Sequence, residues 1–284
     1  GNGAIVRIRD KKGGIDLICE PRLADNYAFT LPITGKEAWT NTEANQICGV
    51  KQRLTSYEVH PQQLTLVWGG PLASVFGVFY DVSVRMDITF AARDIVFSLR
   101  IDNRTNLPIG EVRYPIIGGT LGLGEKISHR RNTVRFVPIG SGYDSQPIYR
   151  VFNNMTWLGE PLPEQVYLYP HTLPMPWMYL FSAKVNRGVY FGAHDLIRRV
   201  KAIQLQQHPG IASNRSSGNW PTAEELDGDP AGVAFNFVFF PYLSSTQSFS
   251  GCPVVLRFQE GDVEQARQYY RGWFSKGTGD IHAQ

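Results

Sequence analysis

The sequence lacks any long run of apolar residues. Its uninterrupted apolar stretches all fall short of the roughly 18 residues that a membrane-spanning helix needs, so no membrane span is predicted. The pattern of a signal peptide, a basic segment followed by an apolar one, is also missing from the start. The opening Gly1-Asn2-Gly3 is typical of a cut or engineered end. A leader already removed from the chain therefore stays open as an alternative.

Cysteine is scarce as well. The three cysteines, Cys19, Cys48 and Cys252, are widely spaced, with no CxxC pair and no interleaved histidine. This spacing excludes a recognisable zinc site or disulfide framework, and the three are predicted to be buried apolar residues. Motifs for phosphate loops, dinucleotide sites, nucleophile elbows and zinc proteases are absent too. We therefore expect neither a metal nor a cofactor.

Charge of one sign is not concentrated anywhere. The formal net charge is only +3, and lysine and arginine are dispersed along the chain, so no nucleic-acid partner is predicted. The densest basic spots are His129-Arg130-Arg131 and Arg198-Arg199. A solvated turn or strand edge is the favoured interpretation of both, and contact with an anionic ligand is the alternative.

Strand-period segments dominate what the sequence does contain. Apolar residues alternate with polar ones from Val82 to Phe90 and again from Ile95 to Ile101, and residues 91–94 turn the chain between them. This pattern predicts a long antiparallel hairpin with one buried face. Further strands are predicted at residues 4–9, 15–20, 64–68, 112–117, 134–139, 148–153, 166–169, 177–183, 188–192, 200–206, 233–240 and 254–258.

Only one helix is predicted, at residues 262–274, with Asp262 as its N-terminal cap. Residues 21–50 are predicted to loop over the surface, and residues 209–230 to form a long exposed loop. No low-complexity linker divides the chain. The predicted fold is all-β: a single large antiparallel β-sandwich domain over residues 1–284 with a C-terminal helix.

The order of several motifs resembles a known family. The motifs are SLRIDN at 98–103, EVRYPIIGG at 111–119, YP at 169–170, MPWMYL at 175–180, GVYFGAHD at 188–195 and QARQYYRGW at 265–273. Together they resemble the N-terminal β-sandwich domain of certain bacterial glycoside hydrolases. The resemblance implies a galactose mutarotase-like supersandwich that precedes a (β/α)8 catalytic barrel, and a secreted or periplasmic protein.

This resemblance implies a non-catalytic accessory domain that supports the barrel and contributes to carbohydrate binding. The sequence ends soon after the predicted helix, which fits a domain excised from a longer enzyme. The carboxylate pair that glycoside cleavage ordinarily needs would then lie on the barrel, so no catalytic residue is assigned here. Two alternatives stay open: an autonomous carbohydrate-binding module and a mutarotase-like epimerase. An epimerase would need an acid and a base, and the candidates are His129, His171 or His194 with Glu111 or Asp195.

Candidate carbohydrate-binding residues are His171, His194, Asp195, Trp157 and Trp220. His194 and Asp195 close a predicted strand, where both could face a groove; otherwise Asp195 satisfies turn amides and His194 packs at the rim.

The apolar side chains of the predicted helix have two alternative roles. Its residues Tyr270 and Trp273 either contact a catalytic domain or pack on the sandwich of this chain. The strand at 177–183 is apolar on both faces, which favours a core or domain-interface position for Trp177 and Tyr179 over an open sugar platform.

Overall fold

The computed structural model describes residues 1–35, 44–120, 122–123, 133–148, 164–208, 232–241 and 248–278. Within these ranges the chain forms a large and a small antiparallel sheet, two short ribbons, one α-helix and two short 3-10 helices (Pro21–Leu23 and Gly49–Lys51). The spatial order of the strands in the large sheet is β13 (Gly142–Pro147), β12 (Thr133–Ile139), β15 (Trp177–Ser182), β16 (Arg187–Ala193), β20 (Val254–Glu260), β10 (Asp94–Asn103), β9 (Val82–Ala91), β6 (Gln63–Trp68) and β5 (Ser56–His60). The short strand β19 (Phe249–Ser250) also pairs with β10.

The small sheet faces the large one. Its spatial order is β14 (Glu164–Tyr169), β17 (Lys201–His208), β18 (Gly232–Phe239), β11 (Glu111–Thr120), β3 (Ala28–Leu31) and β4 (Asn45–Cys48). The ribbons pair β1 (Arg9–Asp10) with β2 (Ile15–Asp16) and β7 (Leu72–Ala73) with β8 (Phe79–Tyr80). The helix α1 spans Val263–Thr278.

The core lies between the two sheets and follows from strand alternation. On β9 the side chains of Val84 and Met86 are buried while Arg85 between them is exposed, because successive residues of a strand point to opposite faces. Phe191 of the large sheet contacts Phe235 and Phe237 of the small one, with ring centroids 4.9 and 5.0 Å apart. Burying each such side chain stabilises the fold by about 1.5–3 kcal/mol.

Part of the outer face of the large sheet is buried too, because α1 packs there. Trp177 and Tyr179 point outward to the helix, while Met178 and Leu180 of the same strand point into the core. This arrangement confirms that the strand is apolar on both faces because both are covered. Asp262 caps the helix, since its carboxylate accepts a hydrogen bond of 3.0 Å from the Glu264 amide.

The predicted fold class is confirmed, as are the β9–β10 hairpin and its turn. The prediction for residues 21–50 was wrong. Ala28–Leu31 and Asn45–Cys48 pair with each other and extend the small sheet from β11, and the ring of Phe29 is fully buried. Strands of four residues are too short for alternation to distinguish them from loops.

The opening hairpin is much shorter than predicted. Only Arg9–Asp10 and Ile15–Asp16 pair, whereas Ile5 and Ile8 pack against the core from a segment without strand pairing. The cysteine prediction holds for Cys252 alone: Cys19 is exposed and Cys48 only partly buried.

Several predictions lie outside the described residues, among them the loop at 209–230 and most of the strand at 148–153. None of the helices in the described ranges has the length and apolar character needed to cross a membrane. Nor does any group of three or more His, Cys, Asp or Glu side chains in those ranges come together as a metal site would require.

Candidate functional site

His194 lies where strand β16 ends and helix α1 crosses the large sheet. Its ring stacks on Trp273 of α1, with centroids 4.1 Å apart and planes 19° apart. Its Nε2 lies 3.1 Å from the hydroxyl of Tyr190, and the rings of Tyr269 and Tyr270 flank it. Burial in this aromatic setting lowers the pKa of His194 to about 3. The imidazole is therefore neutral at physiological pH and packs as an aromatic ring.

Asp195 holds the loop that follows. Its carboxylate accepts hydrogen bonds of 3.0 Å from the amides of Ile197 and Arg199 and lies 3.0 Å from Nζ of the fully buried Lys201. Burial acts to raise the pKa of Asp195, but the hydrogen bond and charge of Lys201, with the two amides, hold it below its usual value. The carboxylate is thus fully engaged, and its role is to shape the loop.

This loop presents Arg198 in an uncommon conformation. Its φ of +60° lies in the left-handed region, which costs a residue with a side chain on the order of 1 kcal/mol or more. The guanidinium of Arg198 sits over the ring of Phe274 on α1, 5.1 Å from the centroid. The Asp195 contacts on either side of Arg198 therefore hold the position from which its side chain reaches the helix.

Arg198 forms one side of a cavity of about 300 Å³ between α1, the loop at 195–199 and the turn after β14. We call it the helix-side cavity; the lining residues that matter here are Tyr169, Met175, Arg198, Tyr270, Arg271 and Phe274. Aromatic rings and Met175 form apolar walls, and two guanidinium groups and two phenol groups add polar ones. A volume of this size is at the lower end of ligand pockets and suits one small ring.

A second and larger depression lies at the end of the large sheet. We call it the sheet-end groove; it has about 1100 Å³ and runs between residues 3–12 and the inner face, over Leu64, Phe90 and Phe258. Its charges are mostly paired with each other: Arg187 with Asp10 and Glu260, and Arg257 with Asp94 at 2.6 Å. Because most of the charged groups in this groove are already paired, we favour as the site the helix-side cavity, where Arg198 and Arg271 have no ion-pair partner in the described ranges.

The other predicted site residues do not join His194. His171 lies in an exposed turn after β14, and the structure shows no contact between it and His194. Trp157, Trp220 and His129 lie outside the described residues. Within the described ranges, no carboxylate other than the engaged Asp195 adjoins His194. The acid and base that an epimerase needs are therefore not assembled around His194.

Tyr270 contacts His194 and also lines the helix-side cavity, whereas Trp273 contacts His194 but does not line the cavity. Both side chains pack on the sandwich of this chain. Whether either also contacts a neighbouring domain stays a prediction.

Sequence reasoning missed most of the cavity. Tyr169 and Arg271 were noted only as parts of family motifs, and Phe274 was not singled out, because the lining comes from three separate segments, at 169–175, 198 and 270–275, and nothing in their spacing links them. Arg198 had one signal, the basic pair Arg198-Arg199, for which an anionic ligand was the less favoured interpretation.

A buried polar network was missed for the same reason. Arg135, only 1% exposed, contacts Asp144 at 3.3 Å, and the hydroxyl of Tyr167 donates to the same carboxylate at 2.5 Å. The network ties an edge of the large sheet to an edge of the small one, because its members lie on β12, β13 and β14. It acts as a link between the sheets.

Comparison with known proteins adds the fold and little more. No protein-family model matches the chain, and no curated protein matches it significantly. Among solved structures, alpha-N-acetylgalactosaminidase NagBb from Bifidobacterium bifidum, in a GalNAc complex, matches with a TM-score of 0.53 and 11% identity, over 90% of this chain and 34% of that one. At this identity the likeness shows the fold alone, a galactose mutarotase-like supersandwich.

Two further structures match less well. The GH36 alpha-galactosidase AgaA from Geobacillus stearothermophilus gives a TM-score of 0.46 and 10% identity, over 84% of this chain and 31% of that one. A putative aldose 1-epimerase from Escherichia coli K12 gives 0.43 and 10%, over 88% and 94%. The chain thus spans about a third of the length of the two glycosidases.

Proposed function

We propose that this chain is a non-catalytic accessory domain of a carbohydrate-active enzyme and that it binds sugar in the helix-side cavity. The cavity carries the proposal. Aromatic rings suit the apolar face of a sugar, while the arginine and tyrosine side chains offer hydrogen-bond donors to its hydroxyl oxygens.

The comparisons support the accessory role. NagBb is a glycosidase with a structure in complex with GalNAc, and about two thirds of that chain lies outside the matched part. We propose that catalysis in the parent protein belongs to such a further part, and that this chain supports it. The engaged state of Asp195 and the neutral, partly buried His194, whose ring is stacked on Trp273, fit this division, because neither is set up to exchange protons with a substrate.

To test sugar binding, the chain is titrated with neutral and acidic monosaccharides and oligosaccharides, and binding is detected by ligand-observed NMR. We expect binding that weakens when Tyr270→Ala opens the cavity wall and persists in Tyr57→Ala, which removes an exposed tyrosine outside the lining. If no sugar binds, or if both variants bind equally well, the cavity is not the site.

The accessory role needs its own tests. We expect the purified chain to release nothing from aryl glycosides, and we expect the gene's reading frame to continue into alternating strand and helix patterns. Hydrolysis that an acidic-residue variant of this chain abolishes would contradict the first expectation. A stop codon directly after Gln284, together with sugar binding, would favour an autonomous binding module instead.

A further inference from the structure

The polar groups that line the helix-side cavity are hydrogen-bond donors and cations, with no carboxylate among them. The lining offers the guanidinium groups of Arg198 and Arg271, the phenols of Tyr169 and Tyr270 and the hydroxyl of Ser275. A ligand in this cavity therefore meets hydrogen-bond donors and positive charge, so it must itself supply acceptors.

Both guanidinium groups are free to take a ligand. Neither Arg198 nor Arg271 forms an ion pair with any carboxylate in the described ranges, whereas the nearby Arg267 is paired with Glu264 at 2.6 Å. Asp195, the nearest acidic residue along the chain, is neutralised by Lys201. The local charge is therefore positive and uncompensated, and it favours an anion.

The two phenols add neutral donors beside the charges. Tyr169 and Tyr270 are each only 6% exposed, yet neither hydroxyl has a hydrogen-bond partner among the described residues. Burial raises the pKa of both phenols, so they keep their protons at physiological pH. Both residues line the cavity, so an acceptor group bound there can take a hydrogen bond from either hydroxyl.

The backbone at Arg198, beside the cavity, is strained. Arg198 adopts a left-handed conformation, and the Asp195 contacts hold it there while its guanidinium lies over Phe274. Strain of this kind persists where the surrounding structure enforces it, and it is concentrated at binding sites.

We infer that the helix-side cavity binds the anionic substituent of an acidic sugar, a carboxylate or a sulfate ester, with the sugar ring against the aromatic walls. This inference rests on the proposed function, since it specifies the class of sugar that the same cavity takes. Arg198 and Arg271 would contact the anion, and the phenols of Tyr169 and Tyr270 would donate to it or to neighbouring ring oxygens.

Calorimetric titration of the chain tests this inference with four probes: galacturonic acid, galactose 6-sulfate, galactose and sodium sulfate. We expect at least one acidic sugar to bind about tenfold or more tightly than galactose, and its binding to weaken as salt rises. Comparing the first two probes shows whether carboxylate or sulfate is preferred.

Variants make the test specific. Arg198→Gln and Arg271→Gln should each weaken binding of the preferred acidic sugar by about tenfold and weaken galactose binding much less, because galactose brings no negative charge to the guanidinium groups. Arg53→Gln is the matched control, because Arg53 is exposed and lies outside the cavity. If Arg198→Gln lowers the melting temperature, the binding result for Arg271→Gln decides the test, since Arg271 is an exposed residue of α1.

The outcomes separate the two proposals. Equal affinity for galactose and the acidic sugars, insensitive to both arginine variants, would overturn the acidic-sugar inference while sugar binding stands. Binding of sodium sulfate as tight as that of galactose 6-sulfate would overturn it too, because the sugar ring would then contribute nothing. Failure of every neutral and acidic sugar to bind would contradict the proposed function itself.

Discussion

His194 and Trp273 stack face to face across the junction of β16 and α1, and this contact fastens the helix to the outer face of the large sheet. The pair combines a titratable ring with the largest aromatic side chain of the helix. This one contact therefore bears both on how α1 packs on the sheet and on how the stability of the domain depends on pH, and both can be measured.

The first prediction concerns acid stability. His194 has a pKa of about 3 in the folded chain and near 6.5 when unfolded, so between these values only the unfolded state gains the proton. Folding stability is therefore lost as pH falls below about 6.5, by about 2 kcal/mol between pH 7 and pH 5. Urea unfolding at both pH values should show a smaller loss of stability in His194→Phe than in the unmodified chain, because phenylalanine cannot gain a proton but can still stack on Trp273.

The control is His171→Asn, because that histidine lies in an exposed turn. It should leave the pH dependence of stability as in the unmodified chain. An unchanged pH dependence in His194→Phe would mean that His194 is not the group responsible.

The second prediction concerns Trp273 itself. Trp273→Ala removes a partly buried ring from the cluster under α1, so the isolated chain should lose about 2–3 kcal/mol of its free energy of unfolding, somewhat less than a fully buried tryptophan. Trp273→Phe should retain most of the stability. Equal stability of Trp273→Ala and the unmodified chain would instead support the predicted contact with a neighbouring domain.

The third prediction concerns the buried ion pair of Asp195 and Lys201. Lys201→Met leaves the carboxylate buried without its cation, which should cost about 3–5 kcal/mol of unfolding free energy in urea. Lys11→Met, at an exposed position, should change it by less than about 0.5 kcal/mol. Similar effects of the two substitutions would show that the pair contributes little.

The fourth prediction compares two glycines by melting temperature. A Cβ at Gly192 would lie 2.1 Å from the hydroxyl oxygen and 2.4 Å from Cζ of the fully buried Tyr190, so Gly192→Ala should destabilise the chain by about 1–3 kcal/mol. Gly272 of α1 has open space around its Cβ position, and Gly272→Ala should stabilise the helix by up to about 1 kcal/mol. Shifts of the same sign would contradict the predicted contrast.

Long alternating segments were predictable from the sequence because one physical pattern, a buried and an exposed face, persists over many residues. The β9–β10 hairpin and the two-faced strand β15 show this. Residues 28–31 and 45–48 escaped prediction because each strand offers only two residues to each face. The segment around Ile5 and Ile8 reads as a strand in sequence, but its apolar residues pack without strand pairing.

The candidate site was predictable only in fragments. Asp195 was expected either to bind sugar or to satisfy turn amides, and the structure places two amides on it. The cavity beside it depends on Tyr169, Arg198 and Phe274 meeting in space, which only the packing of α1 on the sheet brings about. Local patterns in a sequence carry no information on contacts between residues that are far apart along the chain.

The place of β20 in the large sheet has a consequence for how the chain is made. This strand, at residues 254–260, lies between β10 and β16, and pairs with both. Until the ribosome has released it, those two strands each present an unpaired edge, which is where β-proteins aggregate. Folding of the large sheet must therefore wait until β20 has left the ribosome, and fragments that stop short of residue 254 should be clients of chaperones.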